Sequence, residues 1–454
     1  MIDTLSATEA AQFLAAHPTV RYVDLYVIDL AGTARGKRIV ADKLADACRD
    51  GVYLPLSIFA SDVLGNPVES TGLGIRSGDK DYVCRPRAQS LVAAPWDESL
   101  ALCELAMLDP SGASVFAEPR AVLERVVAEL EALSLSPTLA FEMEFFVFRS
   151  VDESTRSAGL APTAPVGVRS RLIHHQNQVY GLAELDDFAP FLDAVRRAAE
   201  ALDVPVESMT SEFGAGQLEI NVHYRANAVR AAIDALWLKR TICTLAPDYG
   251  LFATFMAKPR EDLSGNGMHV HTSLRDRAGK NAFDGEPTPN ETLRRAIAGL
   301  LATRSDFMIL FAPHANSYRR FQSYSYAPVR GDWGLNNRSV AIRIPAAHGA
   351  ATRFEHRIAS ADANPYLLAA AILAGVHHGI DARLTPPPPT AGDSYAGAPV
   401  RAPSWESAID AFASSAAATR YFSRPFVELL VGVKRHEWLA YHRPVPEQDY
   451  RWYL

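Results

Sequence analysis

The sequence predicts an α+β fold, and three observations lead to this class. Residues 20–29 alternate apolar and polar side chains, which is typical of a strand with one covered face. Four later runs have the character of strands, at 138–148, 216–224, 267–274 and 339–345. Helical patterns separate or follow them, at about 189–202, 227–246, 291–311 and 363–380. Because the short βα unit of a parallel barrel does not repeat, we expect α+β rather than a parallel barrel.

The first part of the chain is expected to be a small, β-rich domain. After residues 20–29, Ala31-Gly32 interrupts the alternation and GKRIV resumes it, which indicates a β-hairpin. A further strand is expected at 100–108. The turn-forming cluster at 109–112 precedes a new helix, so we divide the chain into residues 1–110 and residues 111–454.

The second part is expected to open with a helix at Pro119, because proline is favoured in a first turn. Its buried face should consist of four residues at helical spacing, Val122, Val126, Leu130 and Leu133. Residues 384–403 are rich in proline and are expected to form an irregular loop.

Composition limits the class of partner. The 454 residues include 52 acidic and 45 basic side chains, for a net charge of −7. The longest strongly apolar stretch, 367–376, is about half of the roughly 20 residues that cross a bilayer, so it should be a buried helix and not a membrane anchor. The sequence contains no block of Lys or Arg residues, which argues against a surface that binds nucleic acid. The first residues lack the basic-then-apolar order of a signal peptide, and the four cysteines lie far apart, as expected of packing residues in a reduced protein. We therefore expect a cytoplasmic protein that acts on small molecules.

Two glutamates lie close together in the run FEMEF. On a strand, Glu142 and Glu144 share one face while Phe141, Met143 and Phe145 pack behind them. Two carboxylates on one face repel each other unless water or a cation neutralises them. On this motif alone, an exposed strand edge and a cation site are both open.

Further acids and two imidazoles occur in the other extended runs. Glu212 and Glu219 flank a glycine turn, and Glu355 lies in RFEHR. His269 and His271 share one face of the run MHVHTS. Carboxylate-rich sets without thiolates suit Mg²⁺ or Mn²⁺. The sequence therefore predicts a site for such an ion, assembled from several strands.

Arginines near apolar strands form a second group of candidates, Arg319, Arg320, Arg338, Arg343 and Arg357. Guanidinium groups fit the oxygens of phosphates and carboxylates. The alternative is that these arginines pair with the glutamates as internal salt bridges. Metal-binding acids and phosphate-binding arginines in one chain favour phosphoryl transfer from a metal-bound nucleotide.

Taken together, the motifs resemble those of the glutamine synthetase family, in family order over nearly the whole chain. They are FEMEF, E-x4-E from Glu207 to Glu212, GAGQLE, SGNGMHVHTSL, NSYRR, NNRSVAIRIP, RFEHR and ANPYL. The resemblance implies an N-terminal β-grasp domain and a C-terminal catalytic domain with a curved antiparallel sheet. It also implies active sites between neighbouring subunits, a dodecamer of two stacked hexamers, ATP as a substrate, and two or more Mg²⁺ or Mn²⁺ ions in each site.

The resemblance implies a role for each of the motif residues. One metal ion would be held by Glu144, Glu212 and Glu219. The other ion would be held by Glu142, His269 and Glu355. ATP would face Glu207, His271, Ser273 and Arg343. Glutamate would be held by Gly265, Arg320 and Arg357, while Arg338 would stabilise the transferring phosphoryl group.

Two departures from the family pattern concern the amine site. Family members that use ammonia carry a flap glutamate just before Ala-Pro-Val, and this chain has Tyr326 there. Their Asp-Gly-Ser-Ser loop, which supplies an ammonium-binding aspartate from the neighbouring subunit, is replaced by residues 54–66, where Asp62 is the candidate acid. Loss of both carboxylates weakens a site for a small bare cation, so a larger amine is expected.

The segment LPLSIFASDVLGNPVESTGL is similar to that of the γ-glutamylpolyamine branch of the family, which includes γ-glutamylputrescine synthetases. The expected enzyme is therefore a glutamate–amine ligase that works through γ-glutamyl phosphate, with putrescine or another polyamine as the amine, in amine catabolism. Glu212 or Asp62 would take the proton of the amine. The alternatives are a monoamine such as ethanolamine, ammonia itself, or a non-catalytic structural homologue.

Overall fold

A computed structural model describes residues 2–149, 164–174, 176, 178–286, 289–396 and 403–454. Within these residues the strands form two sheets, and helices precede, separate and follow the strands of each. The architecture is α+β, which confirms the predicted class. All strands of the first sheet precede residue 110 and all strands of the second follow it, while the domain boundary itself stays a prediction.

The first sheet has six strands in the order β2-β1-β6-β4-β3, with β5 paired to β6. Their bounds are β1 Tyr22–Ile28, β2 Ala34–Val40, β3 Val52–Pro55, β4 Asp81–Pro86, β5 Val92–Ala93 and β6 Leu100–Met107. β1 and β2 are antiparallel, as expected of the predicted hairpin, while β1 and β6 run parallel. The strand expected at 100–108 is β6, which is buried along its whole length.

Within the described ranges, the second sheet has eight strands in the order β12-β13-β14-β11-β7-β9-β8, with β10 paired to β7. Their bounds are β7 Ser136–Arg149, β8 Val206–Ser211, β9 Gln217–Val222, β10 Leu251–Thr254, β11 Met268–Arg275, β12 Trp333–Leu335, β13 Ile342–Ile344 and β14 Phe354–His356. All four predicted runs contain a strand, although the run at 339–345 is reduced to the three residues of β13. β7 lies between β11 and β9, so the acids of FEMEF are not on an exposed strand edge.

The helices of the first part are α1 Ala7–Ala16 and α2 Leu44–Asp50. Those of the second part are α3 Pro119–Ala132, α4 Leu182–Ala201, α5 Ala228–Leu245, α6 Glu291–Thr303, α7 Met308–Phe311, α8 Pro365–Asp381, α9 Trp405–Ser414, α10 Ala416–Phe422, α11 Arg424–His442 and α12 Glu447–Tyr453. Sequence reasoning did not anticipate α1, although Ser6 and Glu9 form a capping box at its start.

Four expectations about packing and helix bounds need correction. Leu133 follows the last residue of α3 and is exposed, whereas Val122, Val126 and Leu130 are buried as predicted. The pattern at 291–311 is two helices, α6 and α7, and α4 begins seven residues before the predicted start. Cys243 is exposed, while the other three cysteines are buried.

Buried polar contacts connect α8 of the second part to the first sheet. Asn364 accepts hydrogen bonds from the first backbone amides of this helix, and its amide group donates to the carbonyl of Asp29 in the β1–β2 turn at 2.8 Å. The Tyr366 hydroxyl donates to Glu104 on β6 at 2.9 Å. The apolar stretch at 367–376 is the buried centre of α8, as predicted. Among the described residues, no helix is both long and apolar enough to cross a membrane.

Residues 384–396 of the proline-rich segment contain neither helix nor strand, in agreement with the expectation. Residues 397–402 of that segment lie outside the described part of the chain.

Candidate active site

The acids and imidazoles singled out in the sequence meet on one face of the second sheet. The register pairs Glu355 with His271, His269 with Glu142, and Glu144 with Glu219. Directly opposed residues of antiparallel strands share a face, so four adjacent strands contribute to a single row of side chains. Phe141, Met143 and Phe145 are buried behind this row, as the alternation in FEMEF predicts.

Two overlapping groups of this row have the geometry of metal ligands. One ligand atom each from Glu142, His269 and Glu355 lie within 4.8 Å of one another, which is the second of the two predicted sets. The other group consists of Glu144, Glu219 and His269. The first predicted set placed Glu212 with Glu144 and Glu219, but in this structure Glu212 lies outside that 4.8 Å group.

Glu355 is paired with two arginines from the same sheet face. Arg343 donates to its Oε2 atom at 2.8 Å, and Arg357 donates to its Oε1 atom. His269 Nδ1 lies 3.6 Å from the same Oε1 atom. Burial alone would raise the pKa of Glu355, but Arg357 and the neighbouring imidazoles outweigh burial and lower it to about 2. The salt bridges that the sequence left as an alternative role for these arginines are therefore present at Glu355, a carboxylate that also belongs to a group with metal-ligand geometry.

Glu212 and Glu219 have the opposite electrostatic environment. Burial, together with the charges of Glu142, Glu144 and Glu212, raises the pKa of Glu219 to about 9. Burial and Glu144 likewise raise the pKa of Glu212 to about 7, although Arg338 opposes the shift. This part of the site holds more acid than its own cations neutralise, and a divalent cation would remove the imbalance.

His271 is held in one tautomer by its two neighbours. Arg353 Nε lies 3.0 Å from Nδ1 of the imidazole, and Nε2 lies 2.6 Å from Glu142 Oε1. Because a guanidinium group can only donate, Nδ1 must accept, and the Nε2 hydrogen points at Glu142. Arg353 thus fixes the orientation of His271 within the site.

A cleft of about 700 Å³ lies beside this row. Its walls include Glu207, His271 and Ser273, which are three of the four residues predicted to face ATP, together with Glu142 and Arg353. The volume is within the range of small-molecule sites. Arg343, the fourth predicted residue, does not line the cleft and contacts Glu355 and Asn336 instead.

The sequence places Arg353 at the start of the extended run RFEHR, where Arg353, Glu355 and Arg357 alternate and so share a face. The sequence-based assignments nevertheless gave Arg353 no role in the site.

Two of the residues predicted to hold glutamate, Gly265 and Arg320, pack against each other. Arg320 is 5% exposed and donates from Nη1 to the carbonyl of Ile358 at 3.1 Å. A Cβ added at Gly265 would lie only 2.6 Å from Arg320 Cγ, so glycine is required for this close approach. Gln217 fixes the same loop by donating to the carbonyl of Gly265 at 3.0 Å.

Three arginines of this region retain unused hydrogen-bonding capacity. Within the described residues, the buried Nε groups of Arg320, Arg343 and Arg357 have no hydrogen-bond partner. Buried donors in proteins are nearly always satisfied, so these groups suit the oxygens of an anionic ligand.

Tyr326 lies at a half-exposed aromatic cluster next to Glu212. Its ring stacks against that of Phe213, with 5.6 Å between the ring centroids. Arg338 Nη1 lies 3.4 Å from the hydroxyl oxygen of Tyr180, and its charge acts on Glu212. Sequence reasoning named neither Phe213 nor Tyr180.

The contacts of Asp62 do not connect it with this cluster. Its buried carboxylate accepts hydrogen bonds from the backbone amides of Leu64 and Asn66, at 2.9 and 2.8 Å, and lies 3.8 Å from His436 on α11. Asp62 thus shapes its own turn, and its predicted place in a site shared with a neighbouring subunit stays a prediction.

The fold and motifs match those of known proteins over almost the entire chain. Residues 116–453 match the family model "Glutamine synthetase, catalytic domain". The chain is 37% identical to γ-glutamylputrescine synthetase of Escherichia coli strain K12, over 98% of this chain and 94% of that protein. It is 32% identical to glutamate–isopropylamine ligase of a Pseudomonas species, over 92% and 91% of the two chains.

Two further comparisons agree with this result. The γ-glutamylethanolamide synthetase of Streptomyces coelicolor is 32% identical over 85% of this chain and 82% of that protein. A solved structure of a GmaS–ADP complex superimposes with a TM-score of 0.85 at 25% identity, over 98% of this chain and 99% of that one. The resemblance inferred from the motifs is therefore confirmed: the chain belongs to the glutamine synthetase family.

Proposed function

We propose that this protein is an ATP-dependent ligase that joins the γ-carboxylate of glutamate to a diamine or polyamine such as putrescine. The observation that carries the proposal is the acid-lined sheet face, which lies beside buried arginines with unpaired Nε groups. Acids of this kind suit divalent cations, and such arginines suit the phosphates and carboxylates that a ligase brings together. The similarity to an E. coli γ-glutamylputrescine synthetase supports the choice of amine.

The chemistry of the acid row fits two Mg²⁺ or Mn²⁺ ions. We assign Glu142, His269 and Glu355 to one ion, and Glu144 and Glu219, with Glu212 beside them, to the other. When bound, these ions would polarise the γ-phosphate and neutralise its developing charge.

The surrounding side chains would bind and orient the two other substrates. Glu207, His271 and Ser273, with Arg353 added by the structure, line the cleft that we assign to ATP. Arg343 lies beside Glu355 at the sheet face, where it would meet the phosphates. Gly265, Arg320 and Arg357 would hold glutamate, and the rigid Gly265–Arg320 contact would fix its orientation.

The reaction would then follow two steps in which this chain's residues manage charge and protons. A γ-carboxylate oxygen attacks the γ-phosphorus of ATP, and the bond to ADP breaks, giving γ-glutamyl phosphate. The amine nitrogen attacks the acyl carbon, the C–O bond to phosphate breaks, and an amide forms. Arg338 would stabilise the transferring phosphoryl group, and Glu212 would take the proton that the amine nitrogen loses. Asp62 is the alternative acceptor.

The assembly and domain organisation belong to the same proposal. We assign residues 1–110 to a β-grasp domain and residues 111–454 to the catalytic domain. We further propose a dodecamer of two stacked hexamers that acts in amine catabolism in the cytoplasm. Asp62 lies on the N-terminal side, and its carboxylate contacts its own turn and His436 rather than the acid row, which supports a site completed by a neighbouring subunit.

An amine panel tests the proposed reaction. The protein is incubated with ATP, Mg²⁺ and glutamate, and phosphate release is measured with ammonium, ethanolamine, putrescine, cadaverine and spermidine. We expect the highest kcat/KM with putrescine or another polyamine. Ammonium as the best substrate would contradict the argument from Tyr326. No phosphate release with any of these amines, in a protein that assembles normally, would favour a structural homologue.

A matched pair of variants tests the metal assignment. Glu144 belongs to the second ligand group, and its carboxylate is positioned by a 2.6 Å hydrogen bond from the Gly267 amide. Because Glu144→Ala removes this metal ligand, it should abolish turnover without unfolding the protein. Glu200→Ala, on the exposed surface of α4, should leave turnover unchanged. Retained activity in Glu144→Ala would contradict the assignment.

A monoamine such as ethanolamine or a short alkylamine is the second candidate. The stacked rings of Phe213 and Tyr326 favour it, because an apolar surface also suits a chain without a second charge. A higher kcat/KM with ethanolamine than with putrescine in the same panel would select this candidate.

A further inference from the structure

Phe213 forms a specific surface next to the proposed site of amide formation. It directly follows Glu212 in the chain, yet its ring is 53% exposed, while Glu212 is only partly accessible. The ring lies against Tyr326, itself 51% exposed, with an angle of 26° between the ring planes. Two large, adjacent rings that remain open to solvent indicate a binding surface rather than a packed core.

The loop that presents Tyr326 adopts a costly backbone conformation. Tyr324 has a φ of +61° and Tyr326 a φ of +57°, in the left-handed region that bulky residues rarely occupy. Tyr395 braces this loop, because its hydroxyl donates to the carbonyl of Ala327 at 3.0 Å and its ring lies 5.3 Å from that of Tyr324. Strained positions that the surroundings enforce cluster at functional sites.

We propose that Phe213 and Tyr326, hereafter the aromatic pair, bind the carbon chain and the distal ammonium group of the amine substrate. This inference rests on the proposed ligase function and adds to it a residue, Phe213, that sets the choice of amine.

The chemistry of a diamine matches the position of the aromatic pair. The reacting nitrogen must approach Glu212 and lose its proton, whereas the distal nitrogen stays charged and needs its own partner. A cation over the face of an aromatic ring within about 6 Å is attracted by the ring quadrupole. Because the two rings are already stacked on each other, the amine would lie on their outer faces and not between them.

Charges around the aromatic pair also favour an alkylammonium ion. Glu212, which directly precedes Phe213, interacts electrostatically with Glu144 and Glu142, so this end of the site is acidic and favours a cationic substrate. The neighbouring cation, Arg338, is directed to the Tyr180 hydroxyl and to Glu212. The aromatic pair thus adds selectivity for an organic cation where electrostatics alone would also accept ammonium.

Two amines of equal carbon number test the inference. Putrescine and butylamine differ in the distal ammonium group, so the ratio of their kcat/KM values reports on recognition of that group. We expect Phe213→Leu and Tyr326→Leu each to lower this ratio about tenfold, mainly through KM for putrescine, and Phe213→Tyr to restore it. The matched control is Tyr22→Leu, an exposed tyrosine on β1, which should leave the ratio unchanged.

The outcomes separate the inference from the function on which it rests. Equal losses with both amines would mean that Phe213 only supports Glu212, and an unchanged ratio would mean that the aromatic pair does not contact the amine; either result overturns the inference. If the wild-type protein releases phosphate with neither amine, the choice of amine in the proposed function fails first, and the inference fails with it.

Discussion

Replacing Glu355 by glutamine should destabilise the protein, whereas the same replacement at Glu219 should not. The Glu355 side chain is 1% exposed and is the counterion of Arg343 and Arg357, which are 14% and 5% exposed. Breaking a buried pair costs about 3–5 kcal/mol, because an uncompensated charge stays behind. We therefore expect Glu355→Gln to lower the free energy of unfolding by about this amount in the absence of divalent cations.

Glu219→Gln is the matched control within the same acid row. The raised pKa of Glu219, about 9, means that this side chain is protonated at pH 7.5, and glutamine resembles a protonated glutamic acid. The free energy of unfolding should therefore change by less than about 1 kcal/mol. Both glutamates belong to proposed metal-ligand groups, but only Glu355 is paired with buried arginines. A difference in stability between the two variants therefore reports on the ion pairs of Glu355.

Urea denaturation with and without Mg²⁺ provides the assay. A ligand at 100 times its Kd stabilises the native state by about 2.7 kcal/mol, and both variants should lose much of this gain. If Glu219→Gln destabilises the metal-free protein as much as Glu355→Gln does, the opposite electrostatic environments described above are wrong. A loss below about 1 kcal/mol in Glu355→Gln would refute the ion-pair argument.

Three further predictions concern other parts of the chain. Maleimide should label Cys243 alone in the native protein, because burial raises the pKa of all four thiols but only Cys243 is exposed to the reagent; mass spectrometry after digestion checks this. Hydrogen bonds lower the pKa of Asp187 to about 2 against the effect of burial, so the ionised carboxylate stabilises the folded state fully above pH 3.8, and this contribution is lost as pH falls towards 2. Hydrogen exchange at 169–174 should show this loss, and Asp187→Asn should remove the pH dependence. Lys434→Met should cost about 3–5 kcal/mol, because it leaves Glu437 buried without its cation, and urea denaturation measures the loss.

The sequence predicted the contents of the site better than its geometry. Alternation along FEMEF was sufficient to place Glu142 and Glu144 on one face with three apolar residues behind them. The pairing of Glu144 with Glu219 depends on the register between strands distant in sequence, and local pattern does not determine that register. For the same reason, the sequence did not reveal that Glu212 lies outside the 4.8 Å ligand group.

Helix bounds show the same limit at a smaller scale. The apolar spacing at 291–311 continues past Thr303, but α6 ends there, and the Thr303 hydroxyl donates back to the carbonyl of Gly299 at 2.9 Å. Leu133 fits the helical spacing of α3 but follows its last residue and is exposed. Tyr180 and Phe213 were missed because nothing in their local sequence distinguishes them from ordinary surface aromatics.

The left-handed backbone at Tyr324 and Tyr326 has an evolutionary consequence. Glycine would occupy either position without strain, and asparagine would occupy it at lower cost than tyrosine. Random substitution should therefore drift towards glycine or asparagine in any descendant that no longer needs the rings. Comparing these two positions among related enzymes of known amine preference would show which lineages still select for an aromatic side chain.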